Sequence, residues 1–335
     1  MILPKMLILT LISRKYTMDQ TVSASDRIKA KSLSLGFLDC GIVPAGVLIE
    51  DQPRLKKWLE NGMHGKMQYM ERNLEKRTDP GLLVENAQTV VVVLQNYYPQ
   101  DFQHDPKAPV LSKYAYGTDY HFVMKDKLRT LFDYIRDEVI ECNGRIFVDS
   151  APVLERAWAR KAGLGWIGKN AQVISPVYGS FFFIGELILD VEISANTPEE
   201  VRDHCGRCTR CLDACPTQAI LHDRVIDARR CISYQTIENR DEIDPTLVGK
   251  FENRVFGCDI CQDVCPWNLK SEPHSEPKLN PKSLLMELKA EEWFRMDHSS
   301  FNEIFRNSAV KRAGYRGLQR NLRFLQSNTD DSEAS

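Results

Sequence analysis

Eight of the chain's ten cysteines fall between positions 205 and 265, and their spacing is not that of a disulfide framework. Cys205-x2-Cys208-x2-Cys211-x3-Cys215-Pro216 is the proline-terminated run in which three thiolates hold one [4Fe–4S] cube and the fourth reaches a second cube. A second run, Cys258-x2-Cys261-x3-Cys265-Pro266, lacks its own leading cysteine, and Cys231 can supply it. The ligand count then closes, with Cys205, Cys208, Cys211 and Cys265 on one cluster and Cys215, Cys231, Cys258 and Cys261 on the other. Paired C-x2-C motifs also build zinc ribbons, but four thiols at 2-2-3 spacing followed by proline do not suit one tetrahedral ion. Cys40 and Cys142 are left over and read as small buried hydrophobes. Two such clusters pass electrons one at a time and break no bonds themselves. The remaining sequence must therefore hold an acceptor or substrate.

There is enough chain to do so. The 335 residues are 43% hydrophobic, ample for one large or two medium domains. Basic and acidic residues nearly cancel, 44 against 46, so a polyanion could be held only by a local patch. Residues 1–17 carry an apolar stretch, Met6 to Ile12, too short to span a bilayer, and read as an upstream start. The folded protein is expected from about Met18 as a soluble, cytoplasmic monomer that meets no membrane. The remaining boundaries are 18–195 for a first domain, 196–269 for the cysteine-rich domain and 270–282 for a Pro- and Ser-rich linker. A helical segment follows over 283–327, with a polar, disordered tail over 328–335.

Periodicity fills in the first domain. Apolar residues at helical spacing predict a helix over 24–39, with further helices over 54–58, 67–73, 125–140 and 153–162. Thr89 to Leu94 reads TVVVVL, a β-branched apolar run typical of a buried parallel strand. Arg145 to Val148 reads as another buried strand, and 172–175 and 180–189 as two more. Strand and helix alternate, so the fold class is α+β, with an α/β-like character.

Asp149 follows the strand at 145–148, where open α/β sheets place their ligand crevice. A carboxyl group there could have its pKa raised by an apolar surround and act as a general acid. On position alone the commoner reading is that Asp149 or Ser150 caps the next helix. Gly163-x-Gly165-x-x-Gly168 matches the dinucleotide fingerprint, but a helix precedes it and a strand follows, so it reads as a helix end and a turn. Asp119-x-His121 begins like a cobalamin-binding D-x-H-x-x-G loop, but position 124 is Met, and His121 reads as a satisfied structural residue. Arg316, Arg320 and Arg323 follow i, i+4, i+7 spacing after Lys311 and Arg312, a basic stripe that could hold phosphates or be a solvated face.

Taken together, the double cysteine set, VDSAPVLERAWARKAGLGWIGKN, YAYGTDYH, RCISYQTIE and FGCDICQDVCPWN resemble the epoxyqueuosine reductases. The resemblance runs from about Ile28 to Leu325. It implies an enzyme of the last step of queuosine synthesis, an oxidoreductase that removes the epoxide oxygen of epoxyqueuosine at the tRNA wobble position. It further implies a nitroreductase-like N-terminal domain holding cobalamin, a ferredoxin-like domain with two [4Fe–4S] clusters, and a short HEAT-like C-terminal segment. Asp149 becomes the proton donor, and Arg72, Tyr116, Asp149, Val173, Ile184, Ser233 and Asp259 become neighbours of the cobalamin. The basic stripe, with Arg224, Arg229 and Arg230, becomes a grip on tRNA phosphates. A low-potential electron donor is implied as a partner. Two rivals remain on the sequence. A reductive dehalogenase-like enzyme would share both cofactors, but the opening residues hold no twin-arginine motif. A plain electron carrier would leave the first domain without a task.

Overall fold

The computed structural model describes residues 22–194 and 199–330. Met1 to Thr17 and the last five residues of the expected tail lie outside them.

The first domain is organised by one four-stranded sheet. After α1 (Ala24–Ser34) comes β1 (Asp39–Pro44), then α2 (Asp51–Glu60), α3 (Leu74–Thr78) and β2 (Thr89–Asn96). Next are β3 (Val110–Leu111), α4 (Tyr120–Tyr134), β4 (Gly144–Phe147), α5 (Glu155–Lys161), β5 (Trp166–Ile167), β6 (Val173–Ile174) and β7 (Phe182–Leu189). The sheet order is β1-β2-β7-β4 and every pairing in it is antiparallel. The TVVVVL run is therefore a central strand, but not a parallel one. Its continuous apolar character has another cause: both sheet faces are covered. Val91, Val93 and Leu187 pack with residues of α1 and α4, while Val90, Val92 and Ile188 pack with Ala157 and Trp158 of α5. Burial on two faces, not strand direction, demands the unbroken run.

Other expectations shift for local reasons. The helix predicted over 24–39 stops at Ser34, because Gly36 takes φ +82° and the chain turns into β1. The helix expected near 67–73 is a short 3-10 turn followed by α3. The strand at 145–148 is an edge strand with Arg145 exposed, rather than a buried one. The helix predicted from Lys125 starts at Tyr120 instead, capped by the Asp119 side chain on the His121 N–H at 3.0 Å.

The cysteine-rich region is built from short pieces, α6 (Arg210–Asp213), α7 (Ile232–Ile237), β8 (Arg254–Phe256) and α8 (Ile260–Asp263). The helical segment comprises α9 (Ser283–Glu287), α10 (Ala290–Arg295), α11 (His298–Ile304) and α12 (Gly314–Asp330), so helix runs into the stretch read as tail. One core joins these parts. Phe251, Phe256, Trp293, Phe301, Phe305 and Leu318 pack with Leu111, Ala115 and Tyr116 of the first domain, and β3 pairs with β8 in parallel. The stretch read as a linker is bound in place: Leu279 is buried, and the Thr118 N–H donates to the Lys278 carbonyl. A Cβ at Gly117 would meet the Leu279 carbonyl oxygen at 2.4 Å, so this approach requires glycine. Among the described residues no helix is long and apolar enough to cross a membrane.

Candidate active site

Asp149 lies just beyond the end of β4, at the centre of a γ-turn closed by the Ser150 N–H on the Val148 carbonyl. Its φ is +49°, in the left-handed region that non-glycine residues seldom occupy. The capping reading fails, because α5 begins six residues later and its first turn takes no side-chain cap. The crevice argument from parallel sheets does not apply to an antiparallel one. What marks Asp149 is its company. The Tyr120 hydroxyl donates to its carboxylate, and His121 Nε2 stands 3.5 Å away. On the far side His121 Nδ1 lies 2.8 Å from Asp119. The α4 cap thus also orients the imidazole, and the early start of α4 puts Tyr120 and His121 in its first turn.

The electrostatics invert the simple expectation of a raised Asp149 pKa. Burial pushes that carboxyl up, but hydrogen bonds from His121 and Tyr120, with the His121 and Arg312 charges, outweigh it and hold the pKa below the ordinary range. Burial pulls His121 down, yet its bonds to Asp119 and Asp149 carry it up to about 9. At neutral pH the proton is stored on the imidazole, against the Asp149 carboxylate. His121 is thus part of this constellation and not an isolated structural residue. Two further acids stand behind it. Glu155, at the start of α5, accepts the Asp149 N–H and is pushed up to about 8 by burial and by the Asp149 charge. Glu186, on β7, is fully buried with no hydrogen-bond partner for either oxygen among the described residues, and burial holds its pKa well above normal. Sequence reading missed Tyr120, Glu155 and Glu186; only the helix cap D-Y-H offered a signal for the first.

An aromatic wall leads from this acid to the cysteines. Tyr120 stacks on Phe183 at 4.2 Å and meets Tyr114 edge-on at 6.0 Å, and Tyr114 meets Tyr97 at 6.4 Å. Burial raises the Tyr114 hydroxyl well above its usual pKa, with Asp149 and Asp259 adding to the shift. Asp259 is buried between Cys258 and Ile260, accepts the Lys113 N–H at 2.8 Å and lies 3.5 Å from its ammonium.

The cysteines gather as their spacing predicts. Cys205, Cys208, Cys211 and Cys265 line one hollow, together with Lys169, Trp267 and neighbours. Burial and the nearby Cys205 push Cys211 up to about 11. In the second set, burial raises Cys231, with Cys215 as a charged neighbour, and raises Cys261, with Cys258 and Cys231. Among the described residues no three acidic, imidazole or thiol groups converge on the single point one ion would fill; the first four thiols surround a volume instead. Trp166 Nε1 donates to Cys205 Sγ at 3.4 Å and the Ala219 N–H to Cys215 Sγ at 3.3 Å, bonds that suit anionic sulfur. The residues fit two clusters. Cys40 and Cys142 are buried in the sheet core, as expected.

The remaining site candidates divide. Arg72 is exposed, and Ile184 and Ser233 are half-buried, whereas Tyr116, Val173 and Asp259 are 4%, 2% and 6% exposed. The Asp149 side chain is 59% exposed. The basic stripe is broken. Arg316 and Arg323 are exposed, but Arg320 turns inward and donates to the carbonyls of Gln235, Asn239 and Asp241. Arg320 is a structural tie, not a phosphate ligand. Arg312 is bound bidentately by Glu238 and Lys311 lies over Phe301 at 4.6 Å. Arg224 pairs with Asp203, and Arg229 and Arg230 edge a polar hollow with Lys250. Gly163 and Gly165 lie between the end of α5 and β5, and Gly168 in the turn of the β5–β6 hairpin, so the set is a helix end and a turn, as read.

Comparison with known proteins agrees. The family profile described as epoxyqueuosine reductase QueG matches residues 77–150, and that of a 4Fe-4S double cluster binding domain matches 204–268. An epoxyqueuosine reductase of Cellulophaga algicola is 53% identical over 301 residues, 90% of this chain and 97% of its own length. That of Escherichia coli is 38% identical over 303 residues, 89% and 79%. Among solved structures, epoxyqueuosine reductase from Streptococcus thermophilus superposes with a TM-score of 0.82 at 31% identity, covering 92% of this chain and 82% of that one. An epoxyqueuosine reductase carrying an epoxyqueuosine-modified tRNA-Tyr stem loop gives 0.84 at 28% identity, covering 92% and 82%.

Proposed function

The chain belongs to the epoxyqueuosine reductase family, and from that premise we propose how its own residues carry the reaction. The enzyme is an oxidoreductase that takes epoxyqueuosine in tRNA to queuosine, using two [4Fe–4S] clusters and cobalamin. The conversion consumes two electrons and two protons, opens the epoxide to an alkene and releases its oxygen as water. Cobalamin, when bound, supplies the reducing centre at the epoxide carbon, with electrons from the clusters. Residues 18–195 carry a nitroreductase-like cofactor domain, 196–269 the ferredoxin-like cluster domain, and 283–327 a short HEAT-like segment. Arg72, Tyr116, Asp149, Val173, Ile184, Ser233 and Asp259 are the residues that would hold the cobalamin.

The observation that carries this reading is the Asp149 constellation, a carboxylate with two donors and one open side. An alkoxide leaves poorly, so a placed acid is worth on the order of 10²–10⁴ in rate. The carboxylate relays: His121, charged at neutral pH, passes its proton to Asp149, and Asp149 delivers it to the departing oxygen. Asp119 stabilises the imidazolium. Tyr120 holds the carboxyl in place and is the second donor within reach. The exposed Arg316 and Arg323, with Lys311, Arg312, Arg224, Arg229 and Arg230, offer contacts to tRNA phosphates. A low-potential electron donor supplies the clusters.

Nucleoside mass spectrometry tests the reading directly. The protein is incubated anaerobically with epoxyqueuosine-containing tRNA and a low-potential reductant, with and without cobalamin. Cobalamin-dependent loss of one oxygen to give queuosine is the expected result. No conversion with both clusters and cobalamin bound would overturn it.

A further inference from the structure

The segment from Val148 to Glu155 is under more constraint than a connecting loop needs. Asp149 is held at φ +49° in a γ-turn, and a second γ-turn follows at once, closed by the Val153 N–H on the Ala151 carbonyl around Pro152. Turns centred on a positive φ are strained for a residue with a Cβ, and such conformations persist only where the surroundings fix them. The Asp149 side chain cannot supply all of that fixation. It is 59% exposed, and its tie to Tyr120 uses the carboxylate oxygen closest to His121, which must change partners as a proton moves.

The backbone of the turn has one outside partner. The Asp149 N–H points back towards α5, and Glu155 Oε1 accepts it. Glu155 stands in the first turn of α5, which is pinned to the sheet by the buried Ala157, Trp158 and Ala159. The acceptor is therefore mounted on a rigid element, while the residue it holds is on a strained one. The Glu155 carboxyl takes its hydrogen bond from the Asp149 N–H, with the Arg156 and His121 charges nearby, and packing alone would be better served by an apolar side chain.

We propose that Glu155 is a positioning residue for the Asp149 carboxyl, fastening the Asp149 N–H to α5 so that the γ-turn presents the acid on its exposed side. The assignment rests on the reading of Asp149 as the proton relay. Glu155 touches neither substrate nor cofactor. Its contribution is geometric: a displaced acid loses the approach to the departing oxygen, and misplacement by about 1 Å costs on the order of 10²-fold in turnover. The need is for an acceptor oxygen at that reach, so a glutamine serves and a shorter or apolar side chain does not.

The test uses the holoenzyme with both clusters and cobalamin, comparing E155Q, E155A and E155D with the parent. Two readouts are taken: hydrogen exchange of the peptide covering 148–154, and kcat and KM for epoxyqueuosine tRNA. E155Q is expected to keep parental exchange and to turn over within a few-fold of the parent. E155A and E155D are expected to exchange faster in that peptide alone, with kcat reduced about 10²-fold and KM unchanged. Should E155A fail to fold, E155D carries the same prediction with one methylene removed. Parental exchange and kcat in both E155A and E155D would overturn the proposal, as would an E155Q variant as impaired as E155A. A parent that converts no substrate would instead overturn the functional reading, and the exchange comparison would still decide the role of Glu155.

Discussion

The thiol cages and the Asp149 constellation solve the same problem, holding charge in a partly buried place, in opposite ways. In the cages burial pushes Cys211 up to about 11 and Cys258 up to about 12, so these two thiols hold their protons at neutral pH. Only iron removes those protons, and the cage is completed by its contents. Around Asp149 the protein supplies both signs itself: Asp149 and Asp119 are negative, His121 is positive and Tyr120 donates. That site is preformed. The two regions should therefore fail independently, which gives the comparison its tests.

The largest effect is expected on the cage side. Replacing Cys261 by alanine removes a ligand of the second set, and iron content should fall from about eight to about four atoms per chain. Turnover should be lost altogether, since the acid is left without electrons. Iron analysis with low-temperature spin resonance of the reduced protein checks this. Hydrogen exchange in the 148–154 peptide should stay parental. If it accelerated, the independence of the two regions would be wrong.

On the acid side, D149N should keep full iron content and cluster spectra, and lose between about 10² and 10⁴ in kcat. The pH profile sharpens the point. His121 is raised by its partners to about 9, so its charged form persists through neutrality and is lost as pH rises through that value. Asp149 is lowered, so it stays ionised down to acidic pH. Turnover of the parent should hold a plateau near neutrality and fall above about pH 9, and a single-turnover series across pH 6 to 10 at fixed ionic strength measures it. A profile rising through that range would exclude His121 as the proton store.

The same contrast explains what could be read from sequence. The eight cysteines fall largely within two short runs, and iron chemistry restricts both residue type and spacing, so a double-cluster domain was legible before any fold. The acid constellation draws Asp119, Tyr120 and His121 from the start of one helix, Asp149 from a strand end and Glu155 from a second helix. No spacing rule connects them. Position alone left Asp149 between a cap and an acid, the family resemblance made it the proton donor, and its pKa direction was misjudged because the hydrogen bonds that set it come from residues about thirty positions away. The sheet was misread for a related reason. A strand buried on both faces has the same composition whether its neighbours are parallel or antiparallel.

The smallest predicted effect concerns the basic helix, where periodicity placed three arginines on one stripe and the fold separates them. R320A strips three carbonyls, two of them buried, of their donor, a loss of about 1–3 kcal/mol that should lower Tm by several degrees. R316A touches no buried group and should leave Tm unchanged. On tRNA the order reverses. If Arg316 meets a phosphate, R316A should weaken binding and reduce the slope of log affinity against log salt by about one, the release of roughly one counterion. R320A, compared at a temperature where it is fully folded, should keep the parental slope. Equal slopes for all three proteins would remove Arg316 from the tRNA contact and move the polyanion site towards Arg229, Arg230 and Lys250. A reduced slope in R320A would mean that the buried tie and the outer face of α12 act on tRNA together.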